Sequence, residues 1–143
     1  DPNDRRHETF FPMLPTTRPD ALGGTFAQMN LRDVYLQARV HPGGRLIVSG
    51  ELHRLSLVQS LDGWYSGTGA TAFDGTYFGF SSRQSRLRTG LGTFVQVAAE
   101  AQAKKYWTVR ATMGIVKGGD VVRRQFAGDW LAVFVAESTV AIR

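Results

Sequence analysis

The chain has 143 residues, 43% of them hydrophobic, no cysteine, and a formal net charge of +5. These figures exclude a disulfide framework and any cysteine-based metal or catalytic centre, and no apolar run approaches the ~18 to 20 residues of a membrane-spanning helix. Of the 17 basic residues only Lys104, Lys105 and Lys117 are lysines; the arginine fork suits carboxylate and phosphate, although a GC-rich genome yields the same imbalance.

Residues 1–28 hold Pro2, Pro12, Pro15 and Pro19, the pair Gly23-Gly24 and clustered Asp and Arg, the composition of a long loop. There is no cationic start followed by an apolar stretch, so any signal peptide is expected upstream or already removed. The His7-Glu8 pair has no second His four residues on, and the helical zinc-protease pattern fails.

Alternation begins at Met29. Val34, Leu36, Ala38 and Val40 share one face and Asp33, Tyr35, Gln37 and Arg39 the other, which is the period of a strand. His41-Pro42-Gly43-Gly44 reads as a short turn. From Arg45 to Leu57 the pattern resumes, with Leu46, Val48, Gly50 and Leu52 against Ser49, Glu51 and His53. The expected register sets Asp33 opposite His53 and Tyr35 opposite Glu51 inside, and Arg32 opposite Arg54 outside. Two like charges there repel unless they splay into water or meet anionic lipid headgroups.

Residues 58–87 form a predicted long loop rich in Gly, Ser, Thr and aromatics. Gly67-Thr68-Gly69-Ala70-Thr71-Ala72 satisfies a dinucleotide fingerprint formally, but Phe-Asp-Gly follows where a helix is required. Ser66 lacks the glycine frame of a nucleophile elbow.

The clearest pattern spans residues 88–116. Leu91, Thr93, Val95, Val97, Ala99 and Ala101 alternate with Arg88, Gly90, Gly92, Phe94, Gln96, Ala98, Glu100 and Gln102. After a corner at Ala103 to Tyr106, Trp107, Val109, Ala111, Met113 and Ile115 alternate with Thr108, Arg110, Thr112 and Gly114. This is one long antiparallel hairpin, in which Glu100 and Arg110 should pair across the strands. A loop over 117–128 and a last alternating run to Arg143 complete the chain.

The runs reach the roughly 9 to 11 residues that cross a bilayer at a tilt, about twice an ordinary strand. One face of each is apolar but mostly small, while the other carries Glu, Arg, Gln and Gly. A soluble sandwich hides bulky residues inside, whereas a membrane barrel turns a modest apolar face to lipid and a polar face to its lumen. Long connections alternate with short ones, the rhythm of extracellular loops and periplasmic turns, and this places the C-terminal end on the periplasmic side. The predicted fold class is all-β: an antiparallel up-and-down meander forming the C-terminal part of a transmembrane outer-membrane β-barrel. About five strands over 29–143 follow the loop at 1–28. Five strands cannot close a membrane barrel, which needs about eight, so the remainder of the same barrel is an expected partner.

Arg6-His7-Glu8-Thr9-Phe10-Phe11 with Leu14-Pro15, Met29-Asn30-Leu31-Arg32-Asp33, Asp62-Gly63-Trp64-Tyr65-Ser66-Gly67, Phe78-Gly79-Phe80 and Gly118-Gly119-Asp120-Val121-Val122-Arg123 occur in an order that resembles the C-terminal part of the alginate export family. The resemblance covers nearly the whole chain. It implies a monomeric porin of the Gram-negative outer membrane with an arginine-rich lumen, through which a linear polyuronate such as alginate diffuses, with no cofactor, no metal and no catalysis. The family's usual aromatic residue after the final Arg, its expected assembly signal, is missing here, so either the end is truncated or that signal is lost; the family's much longer N-terminal portion is also absent, which supports reading the chain as a C-terminal piece.

An anionic polysaccharide needs cations that replace water around each carboxylate yet do not hold it. Inward Arg39, Arg45, Arg88 and Arg110 are expected to attract; Asp33, Glu51 and Glu100, with His53, orient them and moderate the field. Arg123 and Arg124, with Arg83 and Arg86, sit in loops, where they are expected either to gather or release polymer or to be ordinary solvated loop charge. The same ladder of opposite charge serves equally to hold a barrel wall together. An alternative is a soluble basic β-barrel binding nucleic acid or another polyanion, stacking bases on Trp64, Tyr65, Tyr77 and Phe78. It leaves the outward apolar faces unexplained, so no nucleic acid is expected. A polyuronate-cleaving enzyme using His53, Tyr35 and a neighbouring Arg rests on residue types alone.

Overall fold

A computed structural model describes residues 26–27, 29–67 and 80–142 of the chain. Most of the expected loop over 1–28, the fingerprint-like segment after Gly67, and Tyr77 and Phe78 lie outside the described residues. In chain order the elements are β1 (Leu31–Gly43), β2 (Leu46–Leu57), β3 (Trp64–Gly67), β4 (Phe80–Arg83), β5 (Gly90–Lys104), β6 (Trp107–Gly118), the single helical turn α1 (Asp120–Arg123) and β7 (Trp130–Val140). The long strands form one sheet in the order β1-β2-β5-β6-β7, every neighbour antiparallel, and β3 and β4 make a separate small hairpin. The antiparallel all-β meander expected from the alternating runs is the fold of the chain.

The period-two pattern divides the sheet cleanly. Outward positions carry Val34, Leu36 and Val40 on β1, Val95 and Val97 on β5, Met113 on β6 and Phe134 on β7, all exposed. So broad an apolar face marks a surface that lipid or protein covers. Trp107 and Trp130 bound that face: Trp107 lies opposite Val140 near the short turns, and Trp130 lies opposite Lys117 at the other end. From Trp107 to Lys117 strand β6 rises about 34 Å at ~3.4 Å per residue, which a tilt of about 40° reduces to about 26 Å in height. That matches the ~25 Å apolar band of a transmembrane barrel between its two aromatic girdles.

Four features depart from the sequence reading. β1 runs on through His41 and Pro42 to Gly43, and the turn is Gly44 and Arg45, so Arg45 is exposed in the turn and not inward on a strand. With the turn at Gly44 and Arg45 and a one-residue irregularity between Val40 and Gly43, the register lies two residues from the expected one: Tyr35 faces His53, Gln37 faces Glu51 and Asp33 faces Leu55. Consequently Arg32 lies opposite Ser56 and Arg54 opposite Val34, not opposite each other. A second irregularity between Leu55 and Ser56, where the β5 partners skip from Gly92 to Gly90, turns Leu91 inward to complete burial and leaves Arg88 in the preceding loop. Gly92 permits this with φ +150°, a value that L side chains rarely adopt. Finally, the loops hold regular structure, with β3 and β4 inside 58–87 and α1 inside 117–128.

The core sits at the loop end of the inner face. Leu55, Leu57, Leu91, Phe94 and Val116 from the sheet are covered by Phe26, Trp64 and Val121 from three connections. Trp64 stacks on Phe26 with centroids 5.4 Å apart and meets Phe126 edge-on at 6.0 Å. The connections therefore fold over the inner face instead of standing away from it.

Candidate functional site: a polar wall and an arginine rim

Below this core the inner face is polar. Glu51 is its hub. It faces Gln37 on one side and Gln96 on the other, and its Oε1 accepts from Gln37 Nε2 at 2.6 Å while Oε2 accepts from Gln96 Nε2 at 3.0 Å. His53 Nε2 stands 3.2 Å from the same Oε2, and His53 Nδ1 lies 3.0 Å from both oxygens of Asp33, its diagonal neighbour. The imidazole is clasped between the Tyr35 ring at 5.2 Å and the Phe94 ring at 5.3 Å. His53 is 6% exposed, with a carboxylate at each ring nitrogen. Among the described residues no group of His, Asp and Glu is arranged to hold a metal ion.

Nearer the short turns Arg110 faces Glu100 across β5 and Glu137 across β7. The register puts Glu100 and Arg110 directly opposite, as the hairpin predicts, but the ion pair observed runs from Arg110 Nε to Glu137 Oε2 at 4.0 Å. Arg39 faces Ser49 and is exposed. The inner strand positions thus carry Arg39 and Arg110 beside Asp33, Glu51, Glu100 and Glu137. Glu137 was not singled out in the sequence, because the faces of the last run look alike; its parity with Leu131 and Val133, opposite Val116 and Gly114, assigns it inward.

The other arginines gather at the loop end. The Arg83 guanidinium lies 5.1 Å over the ring of Phe126, and Gln125 Nε2 donates to the Gln84 carbonyl at 2.7 Å, which ties the loop after α1 to the loop after β4. Arg123 Nη2 donates to Asp120 Oδ1 at 2.5 Å. That hydrogen bond and the charge of Arg123 hold the Asp120 carboxyl below its usual range against slight desolvation, helped by the charges of Arg88 and Arg124. Arg83, Arg86, Arg88, Arg123 and Arg124, from two segments distant in sequence, so form one exposed rim. Trp64 and Tyr65, expected as stacking surfaces in the nucleic-acid alternative, are 5% and 7% exposed and belong to the cores beneath the rim.

Sequence segments of no evident chemistry build the loop packing. Asn30, at φ 53°, donates through Nδ2 to the carbonyls of Gln59 and Gly63 at 3.0 Å each and accepts from Gln59 N at 2.8 Å. Asp62 Oδ1 accepts from Gly63 N at 2.6 Å and from the Tyr65 hydroxyl at 2.9 Å. Gly119 leaves no room for a Cβ against the backbone of Gly90 and Leu91.

A family model described as alginate export matches residues 1–130. Comparison with curated proteins and with solved structures gave no match.

Proposed function

Since the chain belongs to the alginate export family, we propose that it forms the C-terminal part of an outer-membrane β-barrel through which a linear polyuronate passes by passive diffusion. The observation that carries this reading is the two-sided sheet: an uncharged apolar band of bilayer height outside, framed by Trp107 and Trp130, and the Glu51 and Arg110 networks inside. The outer edges of β1 and β7 present backbone donors and acceptors that lipid cannot satisfy, so the remainder of the same barrel pairs with both. We propose that the closed barrel acts as a monomer.

The two inner arginines, Arg39 and Arg110, lie among four carboxylates. These strands therefore contribute a moderated wall, and this portion of the channel draws polyanion chiefly through the rim arginines. A polyuronate, with one carboxylate per sugar, meets Arg83, Arg86, Arg88, Arg123 and Arg124 at the loop end and passes along Arg110, whose flanking Glu100 and Glu137 keep any one uronate from lodging. Arg45 stands at the short turn, at the other mouth of the channel.

The test is single-channel recording of the full-length protein in planar bilayers with oligomeric uronates and neutral dextrans of equal length. Transient blocks by uronates at concentrations where dextran is silent support the reading. Equal blocks by both, or no conductance, would remove it.

A further inference from the structure

On the outward positions of the five long strands there is no carboxylate; Arg32, Arg54 and Lys117 lie together at the loop end, and Lys104, opposite Trp107, stands apart at the turn end. The turn end of the same face has Val40, Val48, Ala101 and Val140, with Lys104 its single charge. Thr93 is the centre of the basic group: it faces Arg54 across β2 and Lys117 across β6. Arg54 Nη1 donates to Thr93 Oγ1 at 3.0 Å, and Lys117 Nζ stands 5.3 Å over the ring of Trp130, its own cross-strand partner. Arg32 is diagonal to Arg54 on the remaining side, opposite Ser56.

Two cations flanking one hydroxyl, with backbones about 9 to 10 Å apart at two strand spacings, repel each other unless an anion lies between them. On a lipid-facing surface such charge is tolerated only at the interface, where Trp130 also marks the headgroup level. Short turns lie on the periplasmic side of a membrane barrel, so the basic row lies in the outer leaflet. We propose that Arg54, Thr93 and Lys117, with Arg32 at the flank, form a binding site for the phosphate group of an outer-leaflet lipid: the guanidinium and ammonium bracket the phosphate, Thr93 Oγ1 orients the guanidinium, and the acyl chains lie along Val95, Val97, Met113 and Ile115. The site rests on the membrane orientation proposed above. Its occupant is committed by charge complementarity: a face with no carboxylate and three cations at a single level fits an anionic headgroup and not a zwitterionic one.

The experiment uses the full-length protein in detergent, titrated with diphosphoryl lipid A and, separately, with dipalmitoyl phosphatidylcholine, bound lipid being counted by native mass spectrometry. Wild type should retain lipid A with an affinity that falls as salt rises, and the double variant Arg54→Gln/Lys117→Gln should lose roughly 10- to 30-fold. The charge-preserving Lys117→Arg should keep wild-type affinity, which holds the test open if the double variant does not fold. Equal retention by wild type and double variant, or salt-independent retention by wild type, overturns the site. In parallel, quenching of Trp130 by brominated phosphatidylcholine is read as the difference between wild type and Trp130→Phe. Quenching of Trp130 without discrimination of lipid A sinks the phosphate site and leaves the membrane face standing; no quenching removes both.

Discussion

Arg110 stands directly opposite Glu100 on the β5–β6 hairpin yet turns its guanidinium to Glu137 on the other neighbouring strand, Nε to Oε2 4.0 Å. A cation held between carboxylates on both sides sets local charge more than it adds stability, because an ion pair this exposed contributes only ~0 to 1 kcal/mol. Arg110→Gln should therefore leave thermal stability within about 1 kcal/mol of wild type and shift ion selectivity toward cations. Reversal potentials in asymmetric KCl check this. Unchanged selectivity would mean that Arg110 does not face the conducting path.

Glu51 answers to a different balance, since it is part-buried and gathers Gln37, Gln96 and His53. Removing it takes an acceptor from the buried His53 and Gln96, whereas the exposed Gln37 can turn to water, and loss of a hydrogen bond to a buried group costs about 1 to 3 kcal/mol. Glu51→Ala should lower the unfolding free energy of the full-length protein in detergent by about 2 to 4 kcal/mol, with Glu51→Gln in between because an amide oxygen still accepts. Heat-dependent mobility shift on gels and tryptophan fluorescence during denaturant unfolding both read this. Equal stability of Glu51→Ala and wild type would show that the network is solvated.

Much of this sheet was legible because a strand with one wet and one greasy side must alternate, and the runs over 31–57 and 90–116 do so for their whole length. Register was less so. The pairing of Tyr35 with His53 depends on where β1 ends, and His41-Pro42 looks like a turn although both residues continue the strand. The inversion at Leu91 was invisible in the period, as a bulge needs knowledge of the partner strand. Folding of the loops over the inner face was not legible at all: Phe26, Trp64 and Val121 come from separate connections and share no spacing. Asn30, Asp62 and Gly119, which organise this packing, lie in the segments that resemble the alginate export family, but nothing in their spacing expresses the contacts they make.

Gly92 is the residue on which the bulge depends. Its φ of +150° disfavours any side chain, and an added Cβ would collide with the Lys117 carbonyl oxygen. Gly92→Ala should destabilise the loop end by about 1 to 3 kcal/mol, displacing Leu91 from the core. Unfolding midpoints detect the loss, and protease sensitivity should increase in the segment 84–90. A neutral Gly92→Ala would mean that the bulge relaxes without cost.

The rim is where acid should act. Asp120 is held below its ordinary value of 3.8 by the hydrogen bond from Arg123 and by that residue's charge. A depressed carboxyl stabilises the folded loop above its unfolded pKa and ceases to do so as pH falls through the lowered folded value. Order in the 120–126 loop should thus persist at neutral pH and diminish below about pH 4, and Asp120→Asn should remove that dependence. Amide exchange of Arg123 to Phe126, compared between wild type and Asp120→Asn at pH 3 and pH 6, measures it. The same protonation frees Arg123.

Capture of polymer at the rim should be a matter of rate more than of affinity. Arg83, Arg86, Arg88, Arg123 and Arg124 are exposed and salt-screened, and such charges raise encounter rates of polyanions steeply at low ionic strength. Replacing Arg86, Arg88 and Arg124 with Gln, Arg123 being kept because it orders the 120–126 loop through Asp120, should reduce the frequency of uronate blocks in single-channel records by roughly 10-fold at low salt and much less at high salt, with block duration almost unchanged. Arg83 is left in place because its guanidinium also packs on Phe126, where its loss would disturb the loop itself. Shortened blocks at normal frequency would instead locate these arginines at the point where polymer is held, and would move the binding step from the inner wall beside Arg110 to the rim.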